Sequence, residues 1–440
     1  MLWLNTTIGT AKRPLQLRVL GALKRNDPDG RSYIRPPISS QQTGSPRRLQ
    51  LVIILSALSA FGPLSIDMYL PSLPALSHDF GSVAALVQLT LSACLLGLAL
   101  GQTIAGPISD ALGRRRPLLI GLAAYALSSL LCVVAPSVYV LVLLRFIQGL
   151  AGAAGIVIAR ATVRDLYEGI AAAKFFSLLT IVSGIAPIIA PILGGLVLRF
   201  TSWRGVFIIL GIVGIILLLA AAIGLSETLT IENRQQGGLS TTLKTFRHLL
   251  ANRSFVGYAL ACGLAFAAMF AYISGSPFVI QDIYGLSPQL FSIVFGINAL
   301  GLMVASQING WLVGRFSPTR LLGVGLAATA VGGVALLAVV IIGNIGLIGI
   351  LPSLFVVVSS IGLVLPNATT LAMSGASNTA GSASALLGVL QFAIGAATAP
   401  LVGAFGVKTA LPMAVVIAVL GICALATFLL LDRSHKAAVV

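Results

Sequence analysis

The chain runs to 440 residues, of which 58% are hydrophobic and only 9% charged, with a mean hydropathy of +1.04. Ordinary soluble domains are about 25% charged, so a water-soluble globular enzyme is excluded, and recurrent apolar runs of roughly 20 residues exclude a disordered chain. Lys and Arg number 27 against 11 Asp and Glu, but the excess clusters in alternate gaps between apolar runs. That is the positive-inside pattern of a membrane protein rather than a polyanion-binding face, so nucleic acid is not an expected partner. In lipid each segment must satisfy its own backbone, which makes the expected fold an all-α polytopic bundle.

Residues 1–48 form a basic tail with Lys12, Arg13, Arg18, Lys24, Arg25, Arg31, Arg35, Arg47 and Arg48. It lacks a signal peptide's order of charged, apolar and small residues. Its Arg-rich, acid-poor character also resembles an organellar transit peptide, but we read it as a cytoplasmic tail. Six apolar spans follow near 50–70, 84–106, 117–136, 138–162, 175–198 and 204–225, giving a first half over 49–226. The interval 227–253 is a polar linker. In it Leu239, Leu243, Phe246 and Leu250 recur at helical spacing, which predicts a short amphipathic helix on the cytoplasmic surface. Six further spans lie near 254–280, 288–314, 320–342, 345–368, 382–405 and 410–431, giving a second half over 254–432 and a cytoplasmic tail over 433–440.

With the first tail inside, 23 Lys and Arg fall in cytoplasmic segments and only Arg199, Arg204 and Lys408 outside, while Arg145 lies within a span. Both termini are therefore expected in the cytoplasm. Cys94, Cys132, Cys262 and Cys423 sit far apart inside spans without CxxC spacing, and His78, His248 and His435 are equally scattered. No metal site or cofactor is expected from them.

Several segments carry more than apolar bulk. Span 1 ends Pro63-Leu-Ser-Ile-Asp67-Met-Tyr69-Leu-Pro71-Ser-Leu-Pro74. After span 2 comes Gly106-Pro-Ile-Ser-Asp110-Ala-Leu-Gly113-Arg114-Arg115-Arg116, where a tight turn needs glycine and an acid caps or pairs. Span 4 reads Leu144-Arg145-Phe-Ile-Gln148-Gly149-Leu-Ala-Gly152, and span 5 reads Gly184-Ile-Ala-Pro187-Ile-Ile-Ala190-Pro191-Ile-Leu-Gly194-Gly195. Trp203-Arg204 precedes span 6 and Ser226-Glu227-Thr228 follows it. After span 8, Gly310 to Arg320 occupies the place of Gly106 to Arg116 but lacks its acid.

The loop after span 2 resembles the G-x-x-x-D-x-x-G-R-[KR] signature of the major facilitator superfamily. The span 5 segment is similar to the G-P-x-x-G-G signature of its drug:proton antiporters, departing at Ala190. With the end of span 1 and the residues flanking span 6, roughly residues 46–432 resemble the Bcr/CflA (bicyclomycin and chloramphenicol resistance) subfamily. The resemblance implies a twelve-helix major facilitator fold, two six-helix halves rocking about a central site. It also implies that Asp110, held by Arg114, latches onto the start of span 11 near Gly381-Ser382, with Gly106 and Gly113 shaping the loop.

An ionised carboxylate at membrane depth costs on the order of 2.5–3.5 kcal/mol, so Asp67 is expected to serve proton coupling or substrate binding, or else to cap the turn before Pro71. Arg145 is expected as its counter-charge, the alternative being snorkelling to the interface. Pro187 and Pro191 remove backbone donors in span 5, while Gly194 and Gly195 permit close approach, as suits a conformational gate. Tyr69, Gln88, Gln148, Asn298 and Gln391 are candidates for a substrate cavity; Tyr69, Tyr125, Phe266, Phe270 and Tyr272 fit a drug-accepting wall or plain packing equally well.

The expected function is proton-driven export of hydrophobic small molecules by a monomer in the bacterial inner membrane, without a cofactor other than the proton gradient. A metabolite or nutrient carrier of the same fold is the alternative.

Overall fold

Long apolar segments bounded by capping residues give long helices. Ser137, Ser287 and Ser317 accept from the backbone amides of Val140, Leu290 and Arg320, and Asn252 accepts from Ser254 and Phe255. Glycines with positive φ, at Gly113 (92°) and Gly343 (76°), end two others. The structure, a computed structural model, describes residues 46–234, 239–374, 380–406 and 408–439. The basic tail falls almost wholly outside these residues.

The first span is broken. It comprises α1 (Pro46–Ser59), α2 (Phe61–Asp67), a 3-10 turn (Leu70–Ser72) and α3 (Leu73–Asp79). The axis bends by 41° between Ser59 and Phe61. Pro63 has no amide to offer the Ser59 carbonyl, which explains the bend. The span is therefore kinked and reaches Asp79, beyond the straight 50–70 helix expected from hydropathy. The rest of the first half is α4 (Ala84–Leu112), α5 (Arg115–Val133), α6 (Val138–Leu166), α7 (Gly169–Phe200) and α8 (Trp203–Gly224). The helix α7 runs unbroken through Pro187 and Pro191.

The linker helix α9 (Leu239–Ala251) precedes α10 (Arg253–Pro277), which widens into a π-helix over Phe278–Ile283. Then come α11 (Pro288–Leu312), α12 (Pro318–Ile342), α13 (Leu347–Met373), α14 (Ala380–Ala404) and α15 (Leu411–Val439). Among the described residues, eleven helices are long and apolar enough to cross a membrane, and the bent first pair makes up to twelve. Two details depart from the hydropathy reading. With no Gly or Pro after Gly421, α15 continues through the stretch expected as a tail. In α9 the buried side chains are Phe246 and Leu249, while Leu250 is half exposed. The side chains of Leu239 and Leu243 are outside the described residues.

Within the first half, α4 and α6 lie backbone to backbone. A Cβ at Gly149 would overlap the Cys94 carbonyl oxygen, so only glycine lets the two helices approach this closely. Between the halves there are two seams, α4 against α14 and α7 against α11. Both are tight at one end. Ser92 Oγ donates to the Ala396 carbonyl (2.6 Å), Gln88 Nε2 to that of Ser274 (3.0 Å), Gln289 Nε2 to that of Gly195 (2.8 Å) and Gln281 Nε2 to that of Pro71 (3.2 Å).

Toward the other end the seams open. A Cβ at Gly195 would come 2.5 Å from Ser292 Oγ, at Gly296 3.4 Å from the Ile188 carbonyl oxygen, and at Gly184 3.9 Å from Met303 Sδ. On α14, a Cβ at Gly381 or Gly388 would meet nothing within 4 Å. The cores follow the same division. One apolar cluster crosses from the first half into Phe270, Tyr272, Phe291 and Ala396. A second, around Leu249, Phe255, Leu322, Ala383 and Phe428, belongs to the second half and α9 alone.

Gly149→Leu is expected to lower the thermal unfolding midpoint of the detergent-purified protein, because overpacking costs about 1–3 kcal/mol and the obstacle here is backbone. Gly388→Ala, in open space inside a helix, is expected to hold or raise it, by up to about 1 kcal/mol of helix stability. Scanning fluorimetry of both variants beside the parent checks the pair.

Candidate functional site

Three groups of polar residues bear on the site. The first surrounds Arg145, which is fully buried in α6. Its Nη2 donates to the Ser65 carbonyl (2.8 Å) and its Nη1 to Gln148 Oε1, while its Nε has no partner. Gln148 Nε2 in turn donates to Ser129 Oγ (2.7 Å). The guanidinium lies 4.9 Å from the Tyr69 ring centre and 5.6 Å from that of Phe207. Two aromatic faces and a carbonyl thus replace the water a buried guanidinium would lose. Tyr69 is held by a hydrogen bond with Thr90 Oγ1 (3.1 Å), and Ser65 Oγ by one with the Tyr125 hydroxyl (2.7 Å).

Asp67 is not part of that group. It is buried at the end of α2, and the ion pairs of the described residues are Arg114 with Asp110 and Asp165, and Arg204 with Asp79. Arg145 is therefore not its counter-charge in this structure, contrary to the expectation. The physical reason is that Arg145 grips the carbonyl of Ser65, two residues earlier, and is turned to Tyr69 and Phe207. Across the interface, Tyr272 of α10 is buried in the second half. Its hydroxyl accepts from Asn298 Nδ2 (2.8 Å).

The span 5 glycines sit where Asp67 is carried. A Cβ at Gly194 would overlap the Met68 carbonyl oxygen, and one at Gly195 would crowd Ser292 of α11. One face of α7 thus supports the residue after Asp67 while the next faces the other half. Pro191 is buried and Pro187 half-buried within α7. Gln88 and Asn298 are buried, whereas Gln391 is half-buried with no hydrogen bond recorded for its side chain. Gln88 bridges the halves, and its Oε1 is unpartnered. Phe266 and Phe270 stack on each other at 6.1 Å between ring centres.

The third group ties the α4–α5 loop at the basic end of the bundle. Arg114 Nε and Nη2 donate to the two oxygens of Asp165 (2.8 and 3.3 Å), and its Nη1 donates to Ser109 Oγ (2.9 Å) and to Asp110 Oδ1. Burial by itself would lower the Arg114 pKa; the hydrogen bonds and charges of Asp165 and Asp110 outweigh it and leave the pKa raised. Glu227 accepts four backbone N–H groups, from Arg114 (2.7 Å), Arg115, Thr228 and Leu229 (3.1 Å each). Its carboxylate thereby caps the start of α5. Partial burial would raise its pKa, but those four donors hold it below the usual carboxylate range.

One loop expectation changes: Gly106 is helical, with only Val157 near a Cβ there, and the turn is made by Gly113, where a Cβ would stand 2.5 Å from Glu227 Oε2. Arg114 holds Asp110, as expected, and among the described residues no hydrogen bond joins Asp110 to the start of α14. Sequence reasoning missed Asp165 and the part Glu227 plays. The available signal was that each is an acid placed at a helix end among arginines. At the opposite end, Trp203 Nε1 and Arg204 Nη1 both donate to Asp79 Oδ2 (2.9 and 2.7 Å), fixing α3 to α8.

Glu227→Gln is expected to destabilise the protein by less than about 2 kcal/mol, since the carboxylate is partly screened by solvent. A lowered folded-state pKa means that the contribution is fully present above the ordinary carboxyl pKa and disappears as pH falls through the depressed value. The difference in unfolding midpoint between parent and variant, measured from pH 7 down to pH 3, should therefore shrink at the acid end.

The sequence matches the Major Facilitator Superfamily over residues 55–400. It is 46% identical to an uncharacterized MFS-type transporter, YdgK, of Bacillus subtilis (strain 168), over 83% of this chain and 91% of that one. It is 32% identical to a bicyclomycin resistance protein homolog of Haemophilus influenzae, over 88% and 97%. A chloramphenicol resistance protein of Pseudomonas aeruginosa is 28% identical over 78% and 82%. Among solved structures, an inward-facing, unoccupied bacterial homolog of the human lysosomal transporter Spinster superposes with a TM-score of 0.71 at 16% identity, over 89% of this chain and 98% of that one. At that identity the likeness concerns the fold. The protein is a multi-pass membrane transporter rather than an enzyme, and it belongs to the Major Facilitator Superfamily.

Proposed function

We propose that the chain is a proton-driven antiporter that exports hydrophobic small molecules from the cytoplasm by alternating access. The observation that carries this reading is Asp67. It is a buried acid with no ion-pair partner among the described residues, placed at a helix break, and the residue after it is supported by the Gly194 face of α7. An ionised carboxylate in such a place costs on the order of 2.5–3.5 kcal/mol, and protonation removes that cost. A carrier whose two ends open in turn thus gains a proton from one side and yields it on the other, with substrate competing for the same site.

The asymmetry of the seams supports the conformational part. The halves are sealed at the Asp79–Arg204 end and parted at the Arg114 end, as a carrier open to one side requires. The positive-inside pattern supports reading the open end and both termini as cytoplasmic, in the inner membrane of a bacterium. The substrate class rests on the relatives named for bicyclomycin, chloramphenicol and multidrug resistance. The interior aromatic residues Tyr69, Phe266 and Tyr272, with Gln391 and Asn298, suit an apolar guest with few polar groups. Arg145 holds α2 through Ser65 and so sets the position of Asp67. Asp110, Gly113, Arg114, Asp165 and Glu227 keep the basic end of the first half rigid as it rocks. The working unit is a monomer.

The test is drug accumulation in efflux-deficient bacteria expressing the chain, with and without a protonophore. Chloramphenicol-class accumulation is expected to fall on expression and to recover with the protonophore or with Asp67→Asn. Arg145→Met keeps the packing against Tyr69 and Phe207, so it is expected to leave the unfolding midpoint near the parent's while losing export. Protonophore-sensitive export that survives Asp67→Asn would make Asp67 a cap of the turn. No effect across a broad drug panel, with the protein verified in the membrane, would point to metabolite transport.

A further inference from the structure

The lipid-facing wall of the second half contains a groove of about 700 Å³ between α11, α12, α13 and α15. Phe316, Val324 and Leu429 are exposed residues of its lining, and Phe428 is buried. The floor exists because residue 323 has no side chain: a Cβ at Gly323 would already stand 3.2 Å from the Phe428 ring. Arg320 is the one lining side chain that carries a polar atom.

Arg320 lies in the first turn of α12, and six crossings separate its loop from the α4–α5 loop, so the groove opens at the same end as Arg114. It is exposed, and no carboxylate among the described residues lies within ion-pair distance of it. From Leu312 to Val324 the sequence has Arg315 and Arg320 and no acid. An apolar trough about one to three helical turns long, with an unneutralised arginine at its membrane-surface mouth, has the complementarity of one amphiphile. Its tail is hydrocarbon and its head is anionic.

We infer that this groove binds one anionic phospholipid, with an acyl chain along Phe316, Val324, Leu363 and Phe428 and the phosphate on Arg320. A zwitterionic phospholipid with the same acyl chains fills the trough equally well, but its own cationic group competes with the guanidinium for the phosphate. The site is therefore selective by head-group charge. It is separate from Asp67 and Arg145 and stands independently of the transport reading.

The test is native mass spectrometry of the delipidated full-length protein mixed with equal amounts of phosphatidylglycerol and phosphatidylcholine of identical acyl chains. The first lipid retained is expected to be phosphatidylglycerol by about tenfold. Arg320→Gln should bring that ratio close to one without reducing total retention of the first lipid. Val324→Trp, at a lining position that is 60% exposed and so able to fold, should reduce retention of both lipids. Arg199→Gln, at the opposite end, should leave the preference intact. Equal retention of the two lipids by the parent, a preference that survives Arg320→Gln, or unchanged retention in Val324→Trp would each overturn the site. A dimer mass that Val324→Trp abolishes would overturn it too, in favour of a second copy of the chain.

Discussion

Two seams of small side chains join the halves, and they are tight at one end only. Apolar side chains gain nothing from meeting each other in lipid that they do not already gain from acyl chains, so close approach of backbones and a few buried hydrogen bonds must hold such helices together. Here Gly195 and Gly403 permit the approach, and Ser92, Gln88, Gln281 and Gln289 donate across it. Because these devices end partway along α7 and α14, the interior is reachable from the basic end. The division of the apolar core into one cluster that crosses the interface and one that does not is the same fact seen in packing.

The charges divide along a similar line. At the basic end, Arg114 is matched by Asp110 and Asp165, and Glu227 is matched by four backbone amides. Inside the bundle, Arg145 and Asp67 are both buried and neither neutralises the other. Yet they are mechanically linked, since Arg145 holds the Ser65 carbonyl and Asp67 ends the same short helix. The kink before Pro63 makes α2 a separate lever rather than a turn of one long helix.

The outer surface is also not uniform. Most of it is lipid-facing Leu, Ile and Val, as a membrane bundle requires. Arg320 and the trough behind it interrupt that surface in the second half, at the place where the loop corresponding to the Asp110–Arg114 turn has lost its acid. In the first half Arg114 of this loop is consumed by internal pairing, while Arg116, which Arg320 answers in sequence, is exposed as Arg320 is.

Much of this was legible in the sequence alone. Runs of apolar residues without charge determine where helices cross, because a backbone in lipid has no other way to satisfy its polar groups. The loop and span 5 signatures were enough to indicate the family. The break in the first span had its signal in Pro63, since a missing donor is local. Local sequence could not determine which polar groups meet. Spacing along a helix tells that Asp67 and Arg145 share a depth, but their rotation about two helix axes decides whether they touch, and here it turns Arg145 to Tyr69 and Phe207. Likewise Glu227 reaches Arg114 only because α8 returns beside α5, 113 residues along the chain. Gly106 and Gly113 look equivalent in the motif, and the tertiary structure alone makes the second the turn, because the Glu227 carboxylate occupies the space a Cβ would need.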